Sequence, residues 1–182
     1  MLQIVVPLTS EGWDEEKQEF VAPKEITLQL EHSLVSVSKW ESKWCKSFIH
    51  SKEMSDEETI DYIKCMTLNK NINPDVYNHL TTVNVRQIEK YIAAPMTATF
   101  FSKDEKNGRA NRETVTSELI YYWMIALNIP FECQKWHLNR LLTLIRVCNV
   151  KNQPPKKMSK AETARRNHAL NMSRRKKLNT KG

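Results

Sequence analysis

The chain has 182 residues, 40% apolar and 27% charged, which suits one folded body with an appendage and excludes a wholly disordered polypeptide. Only 3 Gly occur, too few for a Gly-rich phosphate loop and few for a turn-rich all-β fold. The net charge of +7 is unevenly placed: residues 151–182 carry 11 Lys and Arg against one acid, Glu162, so residues 1–150 hold 17 basic and 20 acidic side chains, a net −3, and do not attract DNA by net charge.

No apolar run reaches the roughly 18–20 residues needed to span a bilayer. The start, "MLQIVVPLTSEGW", lacks the basic region and apolar stretch of a signal peptide. Cys45, Cys65, Cys133 and Cys148 form no CxxC pair and no zinc-finger spacing, so they are expected as reduced thiols on helix faces in a cytosolic protein.

In chain order, residues 2–6, "LQIVV", predict a short strand. "QEFV" and "KEITLQLE" follow, and Ile26, Leu28 and Leu30 alternate with polar residues as a half-buried strand does. A small β-hairpin or three-stranded sheet results, which must pack on something to be stable. The period then changes. Leu34, Val37, Trp40 or Glu41, Trp44 and Phe48 recur at helical steps behind Ser33, a candidate N-cap. Trp40 and Trp44 read either as core residues or as aromatic anchors for a protein partner.

Ser55 and Glu58 form a capping box for the next helix, which turns Ile60, Ile63 and Met66 inward. A short turn begins at Pro74. A helix through Val85, Ile88 and Ile92 stops before Pro95. "MTATFFSKDEKNGRANRET" is the main surface loop, with its turn at Asn107–Gly108. "RETVTSELIYYWMIALN" is apolar nearly all round from Leu119 to Leu127, the pattern of a central buried helix. "ECQKWHLNRLLTLIRVCNV" is expected as its antiparallel partner in a core helical hairpin, with Leu138, Leu141, Leu142, Ile145 and Cys148 inward.

Pro154–Pro155 cannot sit inside a helix and marks a boundary. Beyond it, Ser159 and Glu162 form another capping box, but Ala161, Ala164, Ala169, Leu170, Met172 and Leu178 are too few to bury a face. The fold class is therefore α+β, mainly α. A small N-terminal β element (1–31) packs on a helical body running to residue 150. A basic C-terminal tail (151–182), partly disordered or transiently helical, follows.

Candidate chemistry is sparse. The five histidines show no metal-ligand spacing, and His137 beside Trp136 reads as structural or capping. There is no GxSxG and no Walker A motif. "SDEE" and "WDEE" are explained by a helix start and a hairpin surface. No catalytic, cofactor-binding or metal-ligating residue is assigned, and the chain is read as a non-enzyme without a cofactor. Candidate partner-binding residues are Trp40, Trp44, Trp123 and Trp136 in the body, with Arg165, Arg166, Arg174, Arg175, Lys176 and Lys177 in the tail. The tail reads as a docking segment that folds on a partner, as a nucleic-acid arm, or as a solvated charge run. It has no aromatic residue to stack on single strands.

The tract "SELIYYWMIALNIPFECQKWHLNRLLTLIRVCNV", with "LEHSLVSVSKWESKW" and "YIAAPMTATFFS", resembles proteins of tailed-phage and prophage tail modules, and among them the tail assembly chaperones. The resemblance covers most of the chain. It implies a protein that coats the long helical tape-measure protein, recruits major tail tube subunits, works in the cytoplasm of the infected bacterium and is absent from the mature virion. It also implies reversible contacts, with the basic tail reaching the second partner. Family members in many phages have a frameshifted longer form, and which form this chain represents stays open. Nucleic acid is the alternative tail partner, self-association stays open, and no membrane partner is expected. The competing reading is a structural virion protein, a connector or tail component, whose basic arm touches DNA or an acidic neighbour.

Overall fold

The computed structural model describes residues 1–8, 12–14, 19–21, 24–51, 53–101, 114–153 and 159–180, with backbone only for 12–14 and 19–21. The Asn107–Gly108 turn and the Pro154–Pro155 break lie outside the described residues. The chain divides into two units, Met1–Asn149 and Val150–Gly182.

The first unit opens with a β-hairpin. Strand β1 (Leu2–Pro7) runs antiparallel to β4 (Glu25–Leu30), with Leu2 opposite Leu30 and Pro7 opposite Glu25. Between them β2 (Gly12–Asp14) pairs with β3 (Glu19–Val21). The expected β element is therefore present as two two-stranded ladders. Alternation sets its inner face: Ile4, Val6, Leu28 and Leu30 are buried, while Gln3 and Val5 face out. The free edge of β4 is covered by the chain after the second helix. Glu31 N–H donates to the Met66 carbonyl (2.9 Å), Leu68 N–H to the Gln29 carbonyl (2.8 Å), and the Asn69 side chain accepts from Gln29 N–H (2.7 Å).

Helix α1 (Leu34–Trp44) starts at Ser33, whose Oγ accepts the Ser36 N–H. It stops earlier than its periodicity predicts, because Cys45 turns left-handed (φ 50°) and donates its N–H to the Glu41 carbonyl. Phe48 therefore lies in the turn beyond α1. Helix α2 (Asp56–Met66) carries the expected capping box, with Ser55 Oγ accepting from Glu58 N–H and Glu58 Oε2 accepting from Ser55 N–H. A 3-10 turn at Pro74–His79 leads to α3 (Thr82–Ala93), capped by Thr81 and tied to β1 by Asn84 Nδ2 donating to the Val5 carbonyl (3.0 Å).

Two expectations are corrected here. Helix α4 (Ser117–Ala126) is not buried all round: Ser117, Ile120 and Met124 are buried, but Tyr122 and Ile125 are 63% and 61% exposed. Nor do α4 and α5 (Leu138–Asn152) form the central helical hairpin. A 3-10 turn at Phe131–Lys135 separates them, and α1 is the hub against which α2, α4 and that turn pack. The reason is that α1 brings the largest buried side chain, Trp40, to the centre of the apolar cluster. Helix α5 is anchored at its start, where Leu138 N–H donates to the His32 carbonyl (2.7 Å) and His137 bridges to Ser33.

Of the four cysteines, all free, Cys65 and Cys148 sit on helices as expected, whereas Cys45 ends α1 and Cys133 lies in the 3-10 turn. In the second unit α6 (Lys160–Leu178) is a regular helix begun by the Ser159–Glu162 capping box and ended by left-handed Asn179, with no buried residue. None of the helices is long and apolar enough to cross a membrane, among the described residues.

Candidate protein-interaction surfaces

An apolar groove of about 380 Å³ lies between α2, α3 and the turn after α1. Helix α2 sends Thr59, Tyr62 and Ile63 to it at i, i+3 and i+4, and α3 sends Val85, Ile88, Glu89 and Ile92. Phe48 closes one end. Its ring lies on Tyr62 (centroids 4.1 Å) and meets Trp40 edge-on (5.5 Å), a placement set by the left-handed stop at Cys45. Tyr62 is held from behind, its hydroxyl 2.5 Å from His32 Nδ1. Burial pushes the Tyr62 phenol well above its ordinary range, so it stays neutral. Tyr62 and Ile63, both buried, line the groove, with Met54, Val85 and Ile92 half-buried beside them and Glu89 exposed. Such a lining can receive apolar side chains that a partner helix presents at i, i+3, i+4 and i+7.

The four candidate tryptophans are not brought together. Trp40 is completely buried, and its Nε1–H donates to the Glu58 carbonyl (3.0 Å). Of its two readings the core one describes it, and it offers no surface to a partner. Trp44 stacks on Trp40 (6.3 Å) and is half-buried. Its Nε1–H donates to Asp61 Oδ2 (3.0 Å), and the Lys43 and Lys46 ammonium groups lie over its ring at 5.6 and 5.9 Å. Burial pushes Asp61 up, but hydrogen bonds from Lys43 and Trp44 and the Lys43 and Lys64 charges outweigh it and hold the carboxyl below its ordinary value. The hydrogen bond from Lys46, with that from the Ser55 backbone, holds Glu58 low as well. Trp123 and Trp136 are partly buried against the core, Trp136 beneath the Arg140 guanidinium at 4.2 Å.

The outer face of α4 is a second apolar surface. Tyr122 and Ile125, at i and i+3, are exposed, and Phe131 in the following turn is 52% exposed. Tyr121 stacks on Phe131 (6.4 Å) and donates its hydroxyl hydrogen to Gln134 Oε1 (2.9 Å), which fixes the turn. The pattern of α4 contained this surface, because a helix apolar on every side must leave part of it outside unless it is wrapped completely.

Buried polar groups do structural work. His137, read from sequence as structural or capping, is both: Nε2–H donates to the Tyr91 carbonyl (3.0 Å) and Nδ1 accepts the Asn139 N–H at the start of α5 (3.3 Å). Its ring meets those of His32 (5.0 Å) and Tyr91 (4.9 Å) edge-on. Burial, and then the neighbouring His137, push His32 down to about 3, and burial lowers His137 too, so both rings are neutral. The sequence carried no signal for the His32–His137 pairing, since 105 positions separate the residues. No group of three His, Cys, Asp or Glu converges as a metal site among the described residues.

The basic candidates Arg165, Arg166, Arg174, Arg175, Lys176 and Lys177 all stand on α6 and all are exposed. They do not share a face. Arg166 and Lys177 fall on one side, Arg165 and Lys176 on another, with Arg174 and Arg175 on two more. Leu170 and Met172 point to nearly opposite sides, so α6 has no apolar stripe. No protein-family model, no curated protein and no solved structure matches the chain.

Proposed function

We propose that this chain is an assembly chaperone of a tailed-bacteriophage tail module. In this reading it holds amphipathic helical segments of the tape-measure protein, keeps that protein soluble and brings tail tube subunits to it. It acts in the cytoplasm of the infected bacterium and stays out of the mature virion. The observation that carries the reading is the α2–α3 groove, an apolar hollow of about 380 Å³ with the Phe48 and Tyr62 rings in its lining. The uncovered outer face of α4, with Tyr122 and Ile125, supports it as a separate surface for the second partner. The sequence resemblance supplies the tail context. Both surfaces are modest, which suits partners that bind and leave.

The test is co-expression with the tape-measure protein of the same module. The wild-type chain is expected to keep the tape measure in the soluble fraction and to co-purify with it. Met54→Lys with Val85→Lys puts charge into the half-buried groove walls and is expected to abolish rescue, while circular dichroism shows a folded body. Tyr122→Ser with Ile125→Ser is expected to spare tape-measure rescue and weaken tube-protein capture. A groove variant that rescues as well as wild type, or a wild-type chain that forms no complex, overturns the reading.

One observation favours the second reading, a structural virion component: the exposed cations of α6 are placed to reach a charged neighbour. That reading predicts a fixed copy number in purified particles, which mass spectrometry of virions decides.

A further inference from the structure

We propose that α6 is a duplex-DNA-binding helix that lies in the major groove. The proposal stands on the charge and geometry of α6 and is independent of the groove in the body. Helix α6 carries seven Lys and Arg against one acid over Lys160–Leu178. None of its residues is buried, and even Leu170, Met172 and Leu178 are 44%, 51% and 71% exposed. A lone helix of this composition is marginal unless its ends are satisfied. Its ends are: Ser159 Oγ accepts the Glu162 N–H (3.1 Å), Glu162 Oε2 accepts the Ser159 N–H (2.9 Å), and Asn179 closes the other end.

The arrangement selects among polyanionic partners. A membrane surface needs an apolar face opposite a basic one, and a protein groove needs an apolar stripe at helical spacing. Helix α6 has neither, since its cations and its few apolar residues are spread around the axis. An acidic protein patch meets one side of a helix and leaves the other cations idle. A major groove meets three sides of a helix, with base edges below and a phosphate row on either side, is about 12 Å wide, enough to admit one, and leaves only Arg165 and Lys176 facing outward. Side chains fit those three roles. Asn167, Asn171 and Arg174 fall at i, i+4 and i+7 on one face, and Asn and Arg are the residue types that pair bidentately with adenine and guanine edges. Lys177 with Arg166 flanks that face on one side and Arg175 on the other, where the phosphate rows run. The helix has no Phe, Tyr or Trp, the side chains that build stacking platforms for single strands. The deep, narrow major groove of A-form RNA does not admit a helix in this way.

The experiment is fluorescence anisotropy of full-length protein with a labelled duplex of about two helical turns, titrated across salt. The three phosphate contacts of Arg166, Arg175 and Lys177 give log K against log salt a slope of about −2.7. The variant Arg174→Gln, Arg175→Gln, Lys176→Gln, Lys177→Gln is expected to weaken binding at least tenfold and to lower the magnitude of the slope by about 2, with far-UV circular dichroism unchanged. Asn167→Ala with Asn171→Ala is expected to keep the salt slope and to lose enrichment of preferred sequences from a random duplex pool. The proposal is overturned by any of four results: no binding at low salt, undiminished binding by the glutamine variant, equal affinity for duplex RNA, or equal competition by polyglutamate or phosphatidylserine vesicles.

Discussion

The Glu41 carboxylate on α1 caps α4 at Ser117, 76 positions further along the chain. Its Oε2 accepts the Ser117 N–H at 2.7 Å, and its Oε1 accepts the Phe48 N–H at 2.8 Å. The local N-cap residue, Thr116, makes no side-chain cap hydrogen bond, and a carboxylate from another helix takes that place. One buried side chain thus fixes the start of α4 and the turn that carries Phe48 into the groove. Glu41→Ala leaves one buried and one partly buried backbone donor unpaired, and is expected to cost about 2–4 kcal/mol. Glu41→Gln keeps an acceptor and is expected to cost less than half of that. Urea unfolding at constant m measures both. An alanine variant within experimental error of wild type would show that the clamp is not needed.

Trp40 and Trp44 are stacked neighbours with different exposure. Trp40→Ala removes a fully buried indole and is expected to cost about 3–5 kcal/mol. Trp44→Ala removes a half-buried ring and is expected to cost on the order of 1–2 kcal/mol. Trp40→Phe removes the Nε1–H bond to the Glu58 carbonyl together with part of the buried ring, and is expected to cost less than Trp40→Ala. Equal losses for the two alanine variants would contradict the burial difference.

The paired histidines make the body acid-sensitive. In the unfolded chain each imidazole takes a proton near its ordinary value of 6.5, whereas the folded His32 resists it until about 3 and His137 is lowered in the same sense. The unfolded state therefore binds more protons below 6.5, and stability falls as pH drops from there towards 3. Each histidine contributes up to about 1.4 kcal/mol per pH unit, so His32 alone is expected to remove about 2 kcal/mol between pH 6.5 and 5. Denaturant midpoints across this range test it. His32→Gln is expected to flatten the slope, and an unchanged slope in that variant would refute the assignment.

Helix α6 is expected to lose helicity without touching the body. Ser159→Ala removes the N-cap acceptor and costs the helix about 1 kcal/mol. Far-UV circular dichroism is expected to weaken, while the tryptophan signal of the body, which has all five Trp outside α6, keeps its thermal midpoint. A shift of that midpoint would show that the cap matters to the body.

What could be read from sequence was what is local. The capping boxes at Ser55 and Ser159 lie within four residues and were visible, as was the strand alternation of Ile26, Leu28 and Leu30. The end of α1 was not, because Cys45 adopts φ 50° without the Gly that usually signals such a stop. The break before α5 was hidden because "FECQK" has helical composition but forms a 3-10 turn. The α2–α3 groove follows from how two helices and Phe48 meet. Val85, Ile88 and Ile92 showed which way α3 faces, but not that a gap stays beside them. The Glu41 and His32 contacts join residues too far apart for any window to reveal.

The clasp between the start of α1 and the start of α5 sets a timetable for synthesis. His32 and Ser33 meet their partners only when His137 and Leu138 exist, more than 100 residues later. At about 5–20 residues per second, the ribosome needs roughly 5–20 s to cover that distance. Through that interval the hairpin and α1 lack the cover that α5 provides, and the nascent chain presents apolar surface to its surroundings. Translation speed over residues 34–137 is then expected to act beside the stability of the finished fold on how much of the protein escapes aggregation.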